Sequence, residues 1–384
     1  LGLLCDNRLR FFDVEELPDN LMDEDLIEVS EFILKDLLRK ASSSKADSRL
    51  FRKILTTVEK IPYPGDMLQI IKIALAFSDD WIPVTNSRTM REAIIKADEI
   101  ETFVASHCEE KSVSAGAINA GPIARRLEVE GVLPEAEEIM AARDIVLAET
   151  NNLHAHICHI STKTSVDMIR SAKQRGVKVT CETCPHYYSF TVEEVLESGV
   201  NAKMNPPLRE EKDRLAIIEG IKDGTIDCII TDHAPHAEEE KARGLAVAPN
   251  GIIGFETALG ATITNLELIK KYPQLDKKIE GIRDKKYSGA MLTYININNL
   301  YNINYLDMVR LMSYNPAKLL GIDRGEIAEG KVADLTIFDP NREYVFLKEK
   351  IVSKSKNTPW INKKLKGQVR YTIVSGRVVY ERGE

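Results

Sequence analysis

From about Met67 onward, the chain alternates between short apolar runs and amphipathic helical patterns. Short apolar runs predict buried strands, and apolar residues spaced three and four apart predict helices. Alternation at about thirty residues per unit predicts parallel strands joined by crossover helices. The predicted strands are Ile70–Phe77, Phe103–Ser106, Leu153–Cys158, Val177–Cys181 and Ile226–Ile230, and the predicted helices are Met90–Ile100, Glu135–Glu149, Ser165–Arg175 and Glu210–Asp223.

Polar, potentially reactive residues follow these strands at their C-terminal ends. A TIM barrel and a doubly wound sheet both place ligands there. No glycine-rich phosphate-binding sequence follows any of the strands, which disfavours the doubly wound alternative. We therefore expect an α/β fold of the TIM-barrel type, of which the sequence shows five strands.

The pattern divides the chain into three parts. Residues 1–64 are charged and mostly helical in pattern, and their role is unassigned. Residues 65–324 are expected to form the barrel-like domain, and residues 325–384 a small C-terminal β module with a hairpin turn at Val374–Val378. The other helical patterns are Asp23–Lys40, Ser48–Ile61, Phe255–Lys271 and Tyr305–Leu320, and the β segments of the module are Gly325–Asp339, Tyr344–Phe346 and Gln368–Glu381.

Composition narrows the class of protein. The net charge of −7 disfavours nucleic-acid binding, which needs clustered basic residues. No apolar run approaches the roughly 20 residues of a membrane span, and no signal peptide is visible at the start. Six cysteines in 384 residues do not make a disulfide framework. We expect a cytoplasmic protein, and the missing initiator Met suggests a fragment or a processed chain.

Candidate metal ligands stand at four strand ends. All seven histidines fall between His107 and His236, and His107 and His159 each follow a strand, as do Asp80 and Asp232. A single strand-end His is usually structural, and a single strand-end Asp is often a helix N-cap. Four such residues on separate strands of one barrel favour a common zinc site, because imidazoles and carboxylates suit zinc.

Other residues with possible chemistry are less specific. His154 and His156 lie early in the strand that precedes His159, and we expect a structural role for both. His186 follows Pro185, and its role is open. Cys181 and Cys184 form a lone C-x-x-C after a strand pattern, which disfavours a redox or zinc role.

Taken together, the motifs resemble type I dihydroorotase, a zinc-dependent branch of the amidohydrolase superfamily. The resemblance covers Ala76 to Glu384 and rests on several segments in the family's order. These are AFSDD (Ala76–Asp80), SHCEE (Ser106–Glu110), HICHIST (His156–Thr162), KMNPPLR (Lys203–Arg209), TDHAPH (Thr231–His236), GIIGFETAL (Gly251–Leu259), GKVADLTIFD (Gly330–Asp339) and SKNTPW (Ser355–Trp360).

The resemblance implies two zinc ions bridged by a carboxylate and a hydroxide. Asp80 matches the bridging carboxylate, His107 and His159 the other ligands of the second zinc, and Asp232 a ligand of the first zinc that also acts as general base. The family's substrate contacts are matched by Asn205, His236 and the backbone at Asn250 and Gly251. The implied reaction interconverts N-carbamoyl-L-aspartate and dihydroorotate in pyrimidine biosynthesis.

The N-terminal part of the family pattern is missing, so the resemblance implies that the recognised strands are the last five of the family's eight. The family's first barrel strand ends in H-x-H and an Arg, whereas no His precedes His107 here. We expect one zinc site to be intact and the other to bind weakly. Trp81, where the family usually has Gly, is expected to crowd the pocket. The resemblance therefore implies strongly reduced activity for this chain alone.

Two other functions stay open at this stage. The chain could be a non-catalytic homologue that acts as a subunit with aspartate carbamoyltransferase or in a homo-oligomer, although it retains its zinc residues. It could instead be a related cyclic amidase such as allantoinase, which the TDHAPH motif and Asp80 disfavour.

Overall fold

A parallel β-sheet with helices packed on it forms the main part of the fold. The computed structural model describes residues 75–80, 82–266 and 303–383. Within these residues, five strands are hydrogen-bonded in the order β1-β2-β5-β6-β7. They are β1 (Phe77–Ser78), β2 (Val104–Ser106), β5 (Ala155–Ile157), β6 (Val179–Thr183) and β7 (Cys228–Ile229).

The five strands lie at the positions that the sequence predicts, which confirms the strand–helix alternation. All four pairings between them are parallel. Ala105 is opposite His156, and His156 is opposite Thr180. Each strand pairs with the next of the five along the chain, so consecutive strand ends lie side by side at one edge of the sheet.

The crossover helices begin and end close to their predicted bounds. They are α1 (Ser87–Glu99), α3 (Glu135–Asn151), α4 (Lys163–Gln174) and α7 (Glu211–Lys222). Asn86 caps α1 by accepting the amides of Arg88 and Thr89, and Thr162 caps α4 by accepting the amide of Ser165. The capping of α4 matters for the site, because Thr162 lies three residues after His159.

Shorter elements fill the connections. They are α2 (Pro122–Arg126), α5 (Pro185–Ser189), α6 (Val195–Ser198), α8 (Glu238–Lys241), α9 (Ala258–Asn265), α10 (Tyr305–Val309) and α11 (Asn315–Leu319), with 3₁₀ turns at Val192–Glu194, Gly199–Ala202 and Lys348–Lys350. A π-helical turn, Arg310–Tyr314, lies between α10 and α11. A two-stranded parallel ladder joins β3 (Ile118–Asn119) and β4 (Gly131–Val132), and the apolar periodicity does not predict it.

The C-terminal segment forms a three-stranded antiparallel sheet in the order β10-β9-β8. Its strands are β8 (Leu335–Val345), β9 (Lys364–Val374) and β10 (Arg377–Glu381). The predicted hairpin is present, since Arg377 is opposite Val374. The first predicted β segment is partly wrong, because the strand begins at Leu335 and not at Gly325. The amide of Lys366 on β9 donates to Thr264 Oγ1 on α9 (2.8 Å), which ties this sheet to the larger part of the fold.

The main hydrophobic core lies between the helices and the sheet. Ile157, Ile160, Ile169, Ile217 and Ile226 are among its fully buried members. A smaller cluster contains Phe103, Ala105 and Cys158. Among the described helices none is long and apolar enough to cross a membrane. The predicted helices within 1–64, the end of Phe255–Lys271 and Trp81 lie outside the described residues.

Candidate metal centre

Three strand-end residues lie together. Asp80 follows β1, His107 follows β2 and His159 follows β5, and one ligand atom from each lies within 4.8 Å of the others. His107 Nδ1 is 2.8 Å from His159 Nε2 and 3.4 Å from Asp80 Oδ1, and His159 Nε2 is 3.9 Å from Asp80 Oδ1. We call Asp80, His107 and His159 the strand-end cluster. Its donors, two imidazole nitrogens and a carboxylate, are those that zinc prefers.

Asp232 stands beside this cluster without joining the closest group. It interacts electrostatically with His159, Asp80 and His107. Among the described residues, its carboxylate does not belong to a group of three ligand atoms that all lie within 4.8 Å of one another. Burial raises the pKa of Asp232, and the charge of His159 opposes that rise. Asp232 is therefore held near the cluster, with its carboxylate in a poorly solvated position.

The backbone is strained at two of these strand ends. His159 has a φ of 33° and Asp232 a φ of 46°, both in the left-handed region that residues with side chains rarely adopt. Such strain costs on the order of 1–3 kcal/mol and persists where the surrounding structure imposes it. Both residues stand within three positions of the end of a strand.

The charges around His159 favour a cation. Burial alone would lower its pKa, but the hydrogen bond to Asp80 and the charges of Asp232 and Asp80 outweigh burial and raise it to about 9. His159 is 3 % exposed, so a positive charge is stabilised in a buried place. A divalent ion would meet the same favourable field.

Two carboxylates that carry no predicted role hold His107 in position. Asp79 Oδ1 accepts the His107 amide (2.7 Å), and Asp79 Oδ2 accepts the Val84 amide (2.7 Å). Glu109 Oε2 lies 3.2 Å from His107 Nε2. Burial opposes ionisation of Glu109, yet hydrogen bonds with His107 and Lys111 lower its pKa to about 2. The adjacent acids of AFSDD and SHCEE are the only sequence signal for these supports.

The predicted substrate contacts fall in two places. Asn205 Nδ2 lies 3.3 Å from His107 Nε2, which puts Asn205 beside the strand-end cluster. His236 Nε2 lies 2.7 Å from the Asn250 carbonyl oxygen, so these two residues are in direct contact. Gly251 has a φ of +114°, and a Cβ there would meet Ala234 Cβ at 2.5 Å. Only glycine fits that position without a shift of its neighbours.

A buried lysine and a buried asparagine fix the segment around Gly251, and neither carries a predicted role. Lys241 Nζ donates to the carbonyls of Lys203, Pro249 and Gly251 at 2.9–3.3 Å. Asn357, from the SKNTPW segment, accepts the His236 amide (3.3 Å) and donates to the Gly251 carbonyl (3.0 Å). These contacts connect segments far apart in the chain, which is why no local pattern shows them.

The remaining histidines and the C-x-x-C pair lie inside the fold. His154 Nε2 and His156 Nδ1 both hydrogen-bond Thr180 Oγ1 (2.7 and 2.8 Å). His186 is buried, and burial together with the charge of His159 lowers its pKa to about 3. The thiols of Cys181 and Cys184 are free and buried. A surface cleft of about 300 Å³ that includes Asn119 and Glu193 has none of the predicted site residues in its lining.

Comparison with known proteins identifies the family. A sequence model of the amidohydrolase family matches residues 41–379, and it begins inside the segment 1–64. The dihydroorotase of Desulforapulum autotrophicum is 39 % identical over 382 residues, which are 99 % of this chain and 81 % of that protein. The dihydroorotase of Acetivibrio thermocellus is 44 % identical over 307 residues, 80 % of this chain and 65 % of that protein.

Solved structures agree on the fold. L-hydantoinase from Arthrobacter aurescens superposes with a TM-score of 0.64 at 22 % identity, over 84 % of this chain and 69 % of that one. Dihydropyrimidinase from Brevibacillus agri gives 0.62 at 21 % identity, over 83 % and 67 %. The chain belongs to the amidohydrolase family, on its dihydroorotase branch. It spans 65 % of the length of the Aquifex aeolicus dihydroorotase, which is 42 % identical over 307 residues.

Proposed function

We propose that this chain catalyses dihydroorotase chemistry, the reversible hydrolysis of dihydroorotate to N-carbamoyl-L-aspartate in pyrimidine biosynthesis. The observation that carries the proposal is the convergence of Asp80, His107 and His159 at adjacent strand ends in a chain related to dihydroorotases. We further propose that residues 65–324 form the catalytic domain, that 325–384 form a separate β module, and that the protein is cytoplasmic.

The strand-end cluster is the proposed zinc site. Its two nitrogens and its carboxylate oxygen fit zinc in number and in chemistry, and three protein ligands leave a coordination position open. Bound zinc acts as a Lewis acid that polarises a carbonyl and makes water more acidic. The family's first zinc would depend on Asp232 and on a share of Asp80, and we propose that it binds weakly in this chain.

The chain's own groups provide proton transfer and substrate binding. Asp232 takes the proton of the attacking water and returns it to the leaving ring nitrogen, as a general base and then an acid. Its place beside the cluster supports this role. Asn205 and His236 bind the substrate's carboxylate and ring, and the backbone at Asn250 and Gly251 completes the contacts. The hydrogen bonds from Lys241 Nζ to the carbonyls of Pro249 and Gly251 hold this backbone in place.

The test is hydrolysis of dihydroorotate by the zinc-loaded chain, with zinc content measured on the same sample. We expect slow turnover of these 384 residues, because no His stands before His107 to bind the family's first zinc. Asp232→Asn should reduce the rate by about 10²–10⁴-fold and leave zinc in the strand-end cluster. Asp98→Asn makes the same chemical change at an exposed position on α1 and should leave the rate unchanged.

The possible outcomes separate the competing functions. Zinc binding without any turnover of dihydroorotate would refute the catalytic proposal and favour a non-catalytic subunit. In that case, co-purification with aspartate carbamoyltransferase or a homo-oligomeric state measured by light scattering becomes the next observation. Faster hydrolysis of allantoin than of dihydroorotate would overturn the proposed substrate.

A further inference from the structure

A second group of metal-ligand side chains lies deeper in the sheet. Side chains two residues apart in an extended segment share a face, which places His156 in β5 and Cys158, one residue after the strand, on the same side. Glu182 on the neighbouring β6 faces them, with Oε2 3.1 Å from His156 Nε2. The ligand atoms of His156, Cys158 and Glu182 all lie within 4.8 Å of one another. We call these three residues the inner cluster, and it shares no member with the strand-end cluster.

All three side chains of the inner cluster are buried. His156 is fully buried, Glu182 is 3 % exposed and Cys158 is 6 % exposed. His156 Nε2 and Glu182 Oε2 make no hydrogen bond in this geometry, and their 3.1 Å contact is an ion pair only when the imidazole carries a proton. Buried polar atoms without partners are rare and costly. Something that satisfies both atoms at once would remove that cost.

Hydrogen bonds behind His156 leave its Nε2 available to a ligand. Thr180 Oγ1 lies 2.8 Å from His156 Nδ1 and 2.7 Å from His154 Nε2. The hydroxyl has one proton, so it donates to one ring and accepts from the other. When it donates to His154, it accepts from His156 Nδ1–H, and the lone pair of His156 Nε2 then faces Glu182. A hydrogen bond of this kind on the far nitrogen is typical of metal-bound histidines.

The distances and the charges fit a divalent ion. Two ligands of a tetrahedral zinc at about 2.0–2.2 Å from the metal lie roughly 3.3 Å from each other, which is close to the observed 3.1 Å. A thiolate and a carboxylate together balance a charge of +2. A buried complex without net charge avoids the large penalty for burying a charge.

We propose that His156, Cys158 and Glu182 bind a zinc ion in a second site, inside the sheet and separate from the strand-end cluster. This proposal differs from the expectation of a structural role for His156. The thiol of Cys158 binds as a thiolate, because metal coordination removes its proton. The alternative occupant is a single proton shared by His156 and Glu182, which would make the pair a structural ion pair.

Cobalt substitution in the full chain tests this proposal. Cobalt bound to a thiolate gives a sulfur-to-metal charge-transfer band in the near ultraviolet, which nitrogen and oxygen ligands do not give. We expect the band in the wild-type chain and its loss in Cys158→Ser. The matched control is Cys184→Ser, another buried free thiol outside both described metal-ligand groups, and it should keep the band.

A second measurement covers the case in which Cys158→Ser fails to fold. X-ray absorption at the zinc edge of Asp80→Asn, whose strand-end cluster is weakened, should show a sulfur atom at about 2.3 Å from zinc. Absence of the cobalt–thiolate band from the metal-loaded wild type, or zinc with nitrogen and oxygen neighbours alone, would overturn the proposal. Persistence of the band in Cys158→Ser would overturn it as well.

This proposal and the proposed function fail separately. If the strand-end cluster binds no metal, hydrolysis of dihydroorotate is lost, while the cobalt–thiolate band remains. If the inner cluster binds no metal, the band is absent, while the loss of turnover in Asp232→Asn stands.

Discussion

Removal of the Glu137 carboxylate should strongly destabilise the segment that follows His159. Glu137 on α3 is 2 % exposed. It accepts the amides of Ser161 (3.0 Å) and Thr162 (3.1 Å), and it also accepts the hydroxyl groups of both residues. Arg209, itself buried, lies 3.8 Å away and shares the charge. One carboxylate thus supports the backbone two and three residues after a proposed zinc ligand.

The magnitude follows from what Glu137→Gln leaves behind. The Gln side chain keeps one acceptor oxygen and turns its NH₂ group toward donors. A buried backbone N–H therefore loses its acceptor, which costs about 1–3 kcal/mol. The charge of Arg209 also loses its partner, and breaking a buried ion pair costs about 3–5 kcal/mol. These two costs overlap, and we expect a loss of about 3–5 kcal/mol in total, a large share of the roughly 5–15 kcal/mol that stabilises a typical protein.

Urea unfolding followed by circular dichroism measures this loss. Glu135→Gln, on the same helix but exposed, is the matched control and should change the free energy of unfolding by no more than about 1 kcal/mol. Arg209→Met combined with Glu137→Gln should cost less than the sum of the single changes, because the two side chains interact. A loss below about 1 kcal/mol for Glu137→Gln would refute the reasoning.

Three further predictions concern the surroundings of the site. Burial and the nearby Lys203 lower the pKa of Lys241 from its usual value of 10.5 to about 8. Between these two pH values the unfolded chain binds more protons than the folded chain, so the free energy of unfolding should rise with pH in the wild type. The same rise in a Lys241→Met variant would contradict this. Gly251→Ala should cost about 1–3 kcal/mol in urea unfolding, since its Cβ meets Ala234, and no change would argue against the close packing. Asp79→Asn should cost about 1–3 kcal/mol by the same measurement, because one of two amides loses its acceptor; an unaltered stability would show that the amide group replaces the carboxylate.

Local periodicity determined most of the fold that the structure describes. The predicted strands and crossover helices appear with shifts of a few residues, because burial of apolar faces sets their positions. The pattern missed the β3–β4 ladder, whose strands have two residues each and are too short for any periodicity. It also missed the π-helical turn within Tyr305–Leu320, since a change of hydrogen-bond partner leaves no trace in the apolar spacing.

Candidate ligands at strand ends are visible in the sequence, because a parallel sheet brings its strand ends to one edge. For that reason Asp80, His107 and His159 are predictable one at a time. Which of two adjacent acids faces the cluster is decided by the tertiary structure, where Asp79 binds backbone amides and Asp80 faces the two imidazoles.

Contacts between distant segments depend on the tertiary structure alone. Glu182 meets His156 only because β5 and β6 pair in one register, and a slip of one residue would turn Glu182 to the other face. Lys241 reaches carbonyls up to 38 residues away in the chain. The sequence determined the kinds of groups at the strand ends, and the packing of the strands decided their neighbours, because proximity in space is set by register and crossover and not by chain order.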